Sequence, residues 1–265
     1  MSFLENALSI VVPAFNEGDE FEHSLKTIAG ELDMLGLPYE LVVVDDGSRD
    51  GTSAGIERAA AVLGERVVVV THSENQGLAA ALRTGFRHAR HPNVAVLDAD
   101  LSYAPSIVGD MLKQMRRTEA LIVAASPYMK GGRVSNVPPV RLMASRCANL
   151  LLSHLTGRKV STLTGMVRLY NRSFLQRALT SEPIGEFNSW ILVHALKDGV
   201  PVAEVPAHLA WPMSRRQGTS RVPLGKLFRG TQAVIKTIRS MSKVEMRRTG
   251  RDSASPSVPS ELPTA

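Results

Sequence analysis

Four short apolar, β-branched runs, each closing on a polar cluster, constrain this chain more than any other feature. Leu8-Ser-Ile-Val-Val12 stops at Pro13, Leu41-Val-Val-Val44 stops at Asp45-Asp46-Gly47-Ser48, and Val67 to Val70 and Val94 to Leu97 repeat the pattern. Runs of this length and composition read as buried strands. Between them the apolar residues take helical spacing, as in Phe21, Leu25, Ile28, Leu32 and Leu35. Strand and helix alternate over the first 125 residues, which predicts an α/β fold with a mostly parallel central sheet flanked by helices. In such a sheet the ligand site lies beyond the carboxyl ends of the strands, where the polar clusters fall.

Beyond Ser126 the pattern loosens. Pro127, Gly131-Gly132 and Pro138-Pro139 mark an irregular connection; a helix over 141–155, a strand over 166–169, a helix over 188–197 and a strand over 202–205 then complete the same domain. In 224–241 the apolar residues Leu224, Leu227, Phe228, Ile235 and Ile238 share one helical face, with Lys226, Arg229 and Lys236 opposite. That stretch reads either as a helix packed on the domain or as one lying on a membrane. From Thr249 onward Ser, Pro, Ala and Thr dominate, which predicts disorder. The expected organisation is a body over 1–212, a basic loop and amphipathic helix over 213–248, and a disordered tail over 249–265.

The net charge of +6 is unevenly placed. From Met213 to the C-terminus there are 11 basic and 3 acidic residues, whereas the preceding 212 residues hold 20 and 22. A basic end on a nearly neutral body fits a lipid-facing surface better than a nucleic-acid binder. Cys147 is the single cysteine, which rules out a disulfide within one chain and points to a reducing compartment; inside an apolar helix it reads as a small core residue. Met-Ser-Phe-Leu-Glu is not a secretory leader, and no window has the apolar length of a membrane span. The expectation is a soluble, cytoplasmic body.

Asp98-Ala99-Asp100 is the sharpest chemical feature. Two carboxylates one residue apart at a strand's carboxyl end can share a hard cation such as Mg²⁺ or Mn²⁺, which would bridge a diphosphate; the alternative is one Asp capping a turn and the other solvated. Asp45-Asp46-Gly47-Ser48 with Asp50-Gly51-Thr52 can accept hydrogen bonds from a nucleoside, or form a turn that caps the next helix through Asp50 or Thr52. Pro13-Ala14-Phe15-Asn16-Glu17 makes a third loop at the same edge. The seven histidines show no metal-ligand spacing, no nucleophile elbow or Walker loop occurs, and the first strand does not lead into Gly-x-Gly-x-x-Gly, which argues against a dinucleotide oxidoreductase.

Ser9-Ile-Val-Val-Pro-Ala-Phe-Asn-Glu17, Val42-Val-Val-Asp-Asp-Gly-Ser-Arg-Asp-Gly-Thr52, Asn75-Gln-Gly-Leu78 and Leu97-Asp-Ala-Asp100 resemble, in order and spacing, the family-2 inverting glycosyltransferases of GT-A fold. Gly131-Gly132, Arg141 to Asn149, Leu163-Thr-Gly-Met-Val-Arg-Leu-Tyr170, Glu204-Val-Pro206 and Arg215 to Arg221 are similar to the dolichyl-phosphate mannose synthase and polyprenyl-phosphate sugar transferase branch. The resemblance implies that Pro13, Phe15, Glu17, Val44, Asp45 and Asp46 hold the nucleoside of a nucleotide sugar (GDP-mannose or a UDP-hexose). It implies that Asp98, Ala99 and Asp100 hold metal and diphosphate, and that Arg215 and Arg221 close over the phosphates. Arg141 and Arg146 become candidates for the phosphate of a polyprenyl acceptor. The implied enzyme is peripheral on the cytoplasmic face of a membrane, with a separate anchoring partner as one means of holding it there.

Three positions depart from the branch. Ala125-Ser126-Pro127-Tyr128 replaces a segment with a phosphate-binding Arg, Thr162 stands where Asp is usual before Leu-Thr-Gly, and Ser102 stands where some relatives carry Gln. Two alternatives stay open: a family-2 transferase acting on a soluble or glycan acceptor, and a non-catalytic nucleotide-sugar-binding homologue, which Pro127 and Thr162 motivate.

Overall fold

The computed structural model describes residues 6–211 apart from 156, 158–159 and 181–186. Arg215, Arg221, the 224–241 stretch and the tail lie outside the described residues.

Six elements alternate first: β1 (Leu8–Ala14), α1 (Phe21–Asp33), β2 (Tyr39–Asp45), α2 (Thr52–Leu63), β3 (Val67–Thr71) and α3 (Leu78–His88). They are followed by β4 (Asn93–Val96), α4 (Ile107–Thr118), β5 (Ile122–Ser126), β6 (Arg133–Ser135), α5 (Pro139–Leu155) and β7 (Arg168–Asn171). The last are α6 (Arg172–Ala178), α7 (Phe187–Lys197), β8 (Val202–Pro206) and β9 (His208–Ala210). Seven strands form one sheet in the order β3-β2-β1-β4-β7-β5-β8, and β6 and β9 form a second, two-stranded one.

Every residue of β1, β2 and β4 is buried, because both faces of the sheet are covered. Leu8, Ile10, Val12, Leu41 and Val43 pack against Phe21, Leu25, Ile28 and Leu32 of α1 and Met111 and Leu112 of α4. Val11, Val42, Val44, Val94 and Val96 face the other way, against Ala81, Leu82 and Phe86 of α3 and Phe187, Ile191 and Leu192 of α7. The period-2 alternation of the strand thus divides one continuous valine-rich run between two cores. At Gly85 of α3 the backbone comes so near the sheet that a Cβ would lie 2.3 Å from Val11 Cγ1.

Pro13 continues β1 instead of ending it. Alternate residues of a parallel strand bond to alternate neighbours: the Val11 carbonyl accepts Leu97 N–H at 3.1 Å, and the Ala14 carbonyl accepts Asp46 N–H at 2.9 Å. Pro13 therefore faces the β4 side, where the ladder has already stopped at the Val11–Val96 pair, and its missing N–H leaves nothing unsatisfied.

β7 runs antiparallel between β4 and β5, the one reversed strand of the large sheet. Cys147 is exposed, which corrects its expected place in the core: the buried residues of α5 are Ala148, Asn149 and Leu152, on the opposite side of the helix.

Gly85→Ala is expected to destabilise the protein by about 1–3 kcal/mol, because the added methyl must displace Val11 from a closed core. Reversible denaturant unfolding of the two proteins checks this, and an unchanged midpoint would show that α3 and β1 can separate freely.

Candidate active site

The chain runs from β1 outward to β3 in one direction and crosses to β4 in the other, so a crevice opens between the carboxyl ends of β1 and β4. It holds a cavity of about 630 Å³ lined by Pro13, Phe15, Glu17, Asp46, Asp98, Ala99, Asp100 and Arg141 among others. Eight sequence-predicted site residues, from three loops and a helix distant in sequence, thus meet around one space.

The loops are tied to one another by short polar side chains. Asn16, held at φ 55, donates its N–H to Ser48 Oγ at 3.0 Å, and its side-chain oxygen accepts Arg49 N–H at 2.9 Å. Glu17 N–H donates to Thr52 Oγ1 at 2.8 Å, and Gly18 N–H to Asp50 Oδ2 at 3.0 Å. Asp50 also accepts Thr52 N–H at 2.9 Å just ahead of α2, whose N-cap position is Gly51 with no side-chain cap bond, so neither Asp50 nor Thr52 is the cap that the sequence offered. Burial pushes the Asp50 carboxyl up, but the bonds from Thr52 and Gly18 outweigh that and leave it below the usual range.

The two acids after β2 have different environments. Asp45 and Val44 are buried and do not line the cavity; Asp45 accepts Ser48 N–H at 3.0 Å and the Ser53 hydroxyl at 2.5 Å. Asp46 does line it, and its carboxylate accepts Gln76 N–H at 3.0 Å and Gly77 N–H at 2.7 Å, with His72 Nδ1 at 2.6 Å. Asp46 therefore fixes the loop before α3, whose Asn75, Gly77 and Leu78 join the lining. Gly47 permits this approach: it has φ 74, and a Cβ there would lie 2.5 Å from the Glu74 carbonyl carbon.

Asp98 and Asp100 are half-buried, and Ser102 braces both: its N–H donates to Asp100 Oδ1 at 3.0 Å and its hydroxyl to Asp98 Oδ2 at 3.1 Å. Burial, and then the charges of Asp98, Tyr128 and Asp100, push the Tyr103 phenol well above its ordinary range. Two hard carboxylates at an open cavity fit a small divalent cation that keeps water and substrate phosphate in its remaining positions. Among the described residues no cluster of three acidic, histidine or cysteine side chains offers a closed metal cage.

The remaining wall comes from residues that sequence reasoning did not single out as site residues: Thr164, Met166, Leu209 and Trp211. Trp211 N–H donates to the Ser135 carbonyl at 3.0 Å and Ala210 N–H to the Ser102 carbonyl at 2.9 Å, so the β6–β9 ribbon returns to the edge beside Asp100. The Arg141 guanidinium lies 4.2 Å from the Trp211 ring centroid. Arg146 does not line the cavity; it sits 5.9 Å over the Tyr128 ring. Arg215 and Arg221 lie outside the described residues.

Side chains also hold the segment that carries Thr164 and Met166. Glu204 accepts Ser161 N–H at 2.8 Å and Thr162 N–H at 3.0 Å, Asn149 accepts Leu163 N–H at 2.7 Å, and Asn188 donates to the Gly165 carbonyl at 3.1 Å. The fully buried Arg168 donates to the carbonyls of Leu163 and Asn188. Two of the departures meet here: the Thr162 hydroxyl lies 2.6 Å from Ser126 Oγ, immediately before Pro127.

Comparison with known proteins agrees with this geometry. The model for glycosyl transferase family 2 matches residues 9–179. The undecaprenyl-phosphate 4-deoxy-4-formamido-L-arabinose transferase of Edwardsiella ictaluri is 30% identical over 224 residues, 83% of this chain and 64% of that protein. The protein of the same name from Pseudomonas fluorescens is 32% identical over 174 residues, 66% of this chain and 49% of that one. The chain thus spans about half to two thirds of the length of these relatives. The crystal structure of glucosyl-3-phosphoglycerate synthase from Mycobacterium tuberculosis in complex with Mn²⁺, UDP and phosphoglyceric acid superposes with a TM-score of 0.65 at 21% identity, covering 89% of this chain and 78% of that one. The same fold, the strand-end acids in family order and a family match over most of the body have one explanation: this chain belongs to glycosyl transferase family 2, on a GT-A fold.

Proposed function

We propose that this protein is an inverting glycosyltransferase that moves a sugar from a nucleoside-diphosphate sugar to a polyprenyl phosphate at a membrane surface, with Mg²⁺ or Mn²⁺. The observation that carries this reading is the convergence of Asp98, Asp100 and Arg141 on one cavity of about 630 Å³, a volume in the range of sites for cofactor-sized ligands. The resemblance of its relatives, named for transfer to undecaprenyl phosphate, supports the acceptor class.

The chemistry asks little of a base. A phosphate monoester is largely ionised at neutral pH, so its oxygen can attack the anomeric carbon directly. The protein's part is then to position two anions and to relieve charge on the departing nucleoside diphosphate. Asp98 and Asp100 would hold the cation, which supplies Lewis-acid stabilisation of that leaving group. Ser102 keeps both carboxylates turned toward the cavity. Pro13, Phe15, Glu17 and Asp46 form the nucleoside end, with Asp46 acting chiefly by fixing the 72–77 loop. Arg141 is the cavity-lining cation for the acceptor phosphate, and stacking on Trp211 limits the rotamers it must lose on binding. Arg215 and Arg221 complete the proposal as cations over the diphosphate. Attack from the face opposite the leaving group inverts the anomeric centre.

Purified protein given UDP- or GDP-sugars and polyprenyl phosphate is expected to place sugar in the lipid phase, to lose that activity in excess chelator and to regain it with Mg²⁺ or Mn²⁺. Absence of lipid product from every donor would sink the reading; product only in the aqueous phase would replace the acceptor class. Asp100→Ala should lower turnover at least about a hundredfold with an unaltered melting temperature, since a strand-end carboxylate at a cavity does not support the core. Arg141→Ala should raise the KM for the lipid phosphate by roughly tenfold or more while leaving donor affinity alone, as expected for loss of one charge-assisted contact. Steady-state kinetics with each substrate varied in turn would expose the opposite split.

A further inference from the structure

Helix α5 is built inside out for a surface helix. Its sequence, Pro-Val-Arg-Leu-Met-Ala-Ser-Arg-Cys-Ala-Asn-Leu-Leu-Leu-Ser-His-Leu, carries 17 residues without one acidic side chain. The side turned to the protein holds Ala148, Asn149 and Leu152, all buried. The side turned outward holds Val140, Met143, Leu150 and Leu151, exposed by 64%, 69%, 74% and 46%, with Cys147 exposed between them. Spacings of three, four, three and one along a helix put these five residues on a single stripe. Scattered exposed apolar residues are ordinary, but a contiguous stripe of this kind marks a contact surface.

We propose that this stripe is the protein's lipid-contacting surface and that α5 lies in the interface of an anionic bilayer. The idea rests on the polyprenyl-phosphate reading above and names the surface through which that acceptor is reached. Three observations select a bilayer over other occupants. The helix is about 25 Å long and so too short to cross the hydrocarbon layer, which fits an in-plane position. Its charged side chains are Arg141 and Arg146 and its sequence holds no acidic residue, which suits anionic headgroups. A second copy of α5 would offer these arginines no acid, and the chain beyond Met213, with 11 basic and 3 acidic residues, would bring like charge as well.

The placement has a direct consequence for the site. Asn149 ties α5 to the cavity wall by accepting Leu163 N–H at 2.7 Å and donating to Thr164 Oγ1 at 3.1 Å. The same helix carries Arg141 into the cavity lining. Sinking the stripe into the interface therefore sets Arg141 at headgroup depth, where the phosphate of a polyprenyl chain sits while its tail stays in the bilayer.

Cys147 lies within the stripe and is the chain's single cysteine, so a polarity-sensitive fluorophore on the full-length protein reports from that surface without any substitution. Phosphatidylcholine vesicles containing phosphatidylglycerol are expected to shift its emission to the blue, and spin-labelled lipid to quench it; vesicles of phosphatidylcholine alone should do so less. Met143→Gln/Leu150→Gln/Leu151→Gln should weaken vesicle binding roughly tenfold or more with unchanged thermal unfolding. A probe indifferent to vesicles, or a variant that binds them like the parent, overturns the proposal. So does a probe already blue-shifted in buffer: dilution that reverses the shift identifies a second copy, and no effect of dilution identifies the chain's own C-terminal segment. Vesicle binding through the stripe without sugar transfer to polyprenyl phosphate would instead overturn the function reading alone.

Discussion

Burial of β1 on both faces and along both edges is the constraint on which the rest depends. β1 pairs in parallel with β2 on one side and β4 on the other, and none of its seven residues is exposed. Parallel pairing forces each connection over a face of the sheet, which places α1, α3 and α4 and closes two cores at once. Because the β4 ladder stops at Val96 while β1 runs on to Ala14, the same arrangement leaves the crevice in which the cavity forms.

Hydrogen-bonding side chains turn that crevice into a shaped site. Asp46 and Asp50 hold backbone N–H groups of neighbouring loops and Asp45 one of its own, so acids clustered at the strand ends act largely as braces. Glu204 and Asn149 do the same on the other wall, and Asn188 and Arg168 bind carbonyls there, where an irregular segment would otherwise leave peptide groups without partners. Arg168 is the costly member of this set: a fully buried guanidinium bonded to two carbonyls, with Nε lacking a hydrogen-bond partner among the described residues. Its position at the first residue of the reversed strand β7 links the wall of the cavity to the sheet. Ser102 gives the acidic pair its direction and, through its carbonyl, receives the β9 end of the chain.

Where local pattern suffices, the sequence was a faithful guide. The valine runs became β1 to β4, the helical spacing from Phe21 became α1, and the 141–155 helix began only two residues earlier, at Pro139. The polar loops after β1, β2 and β4 do meet at one cavity. Pro13 was misread as a strand terminator because a sequence does not show which neighbour a residue faces. Cys147 was misread as core because apolar character on both sides of α5 gives no clue to which side is covered. Val44 and Asp45, next to Asp46 in sequence, do not reach the cavity: Val44 packs in the core on the α3 side, and the Asp45 carboxylate is taken up by Ser48 and Ser53.

By itself, then, the sequence determined most of the elements, the parallel α/β class, the edge at which the site lies and the family to which the chain belongs, since all of these follow from residues near one another along the chain. Only the tertiary structure decided the reversal of β7, the β6–β9 ribbon that brings Leu209 and Trp211 to the cavity, the bracing roles of Glu204 and Arg168, and the outward turn of the α5 stripe. The physical reason is common to them. Each is a pairing across many residues, fixed by which surfaces remain to be buried and which peptide groups remain to be bonded once the local elements have formed.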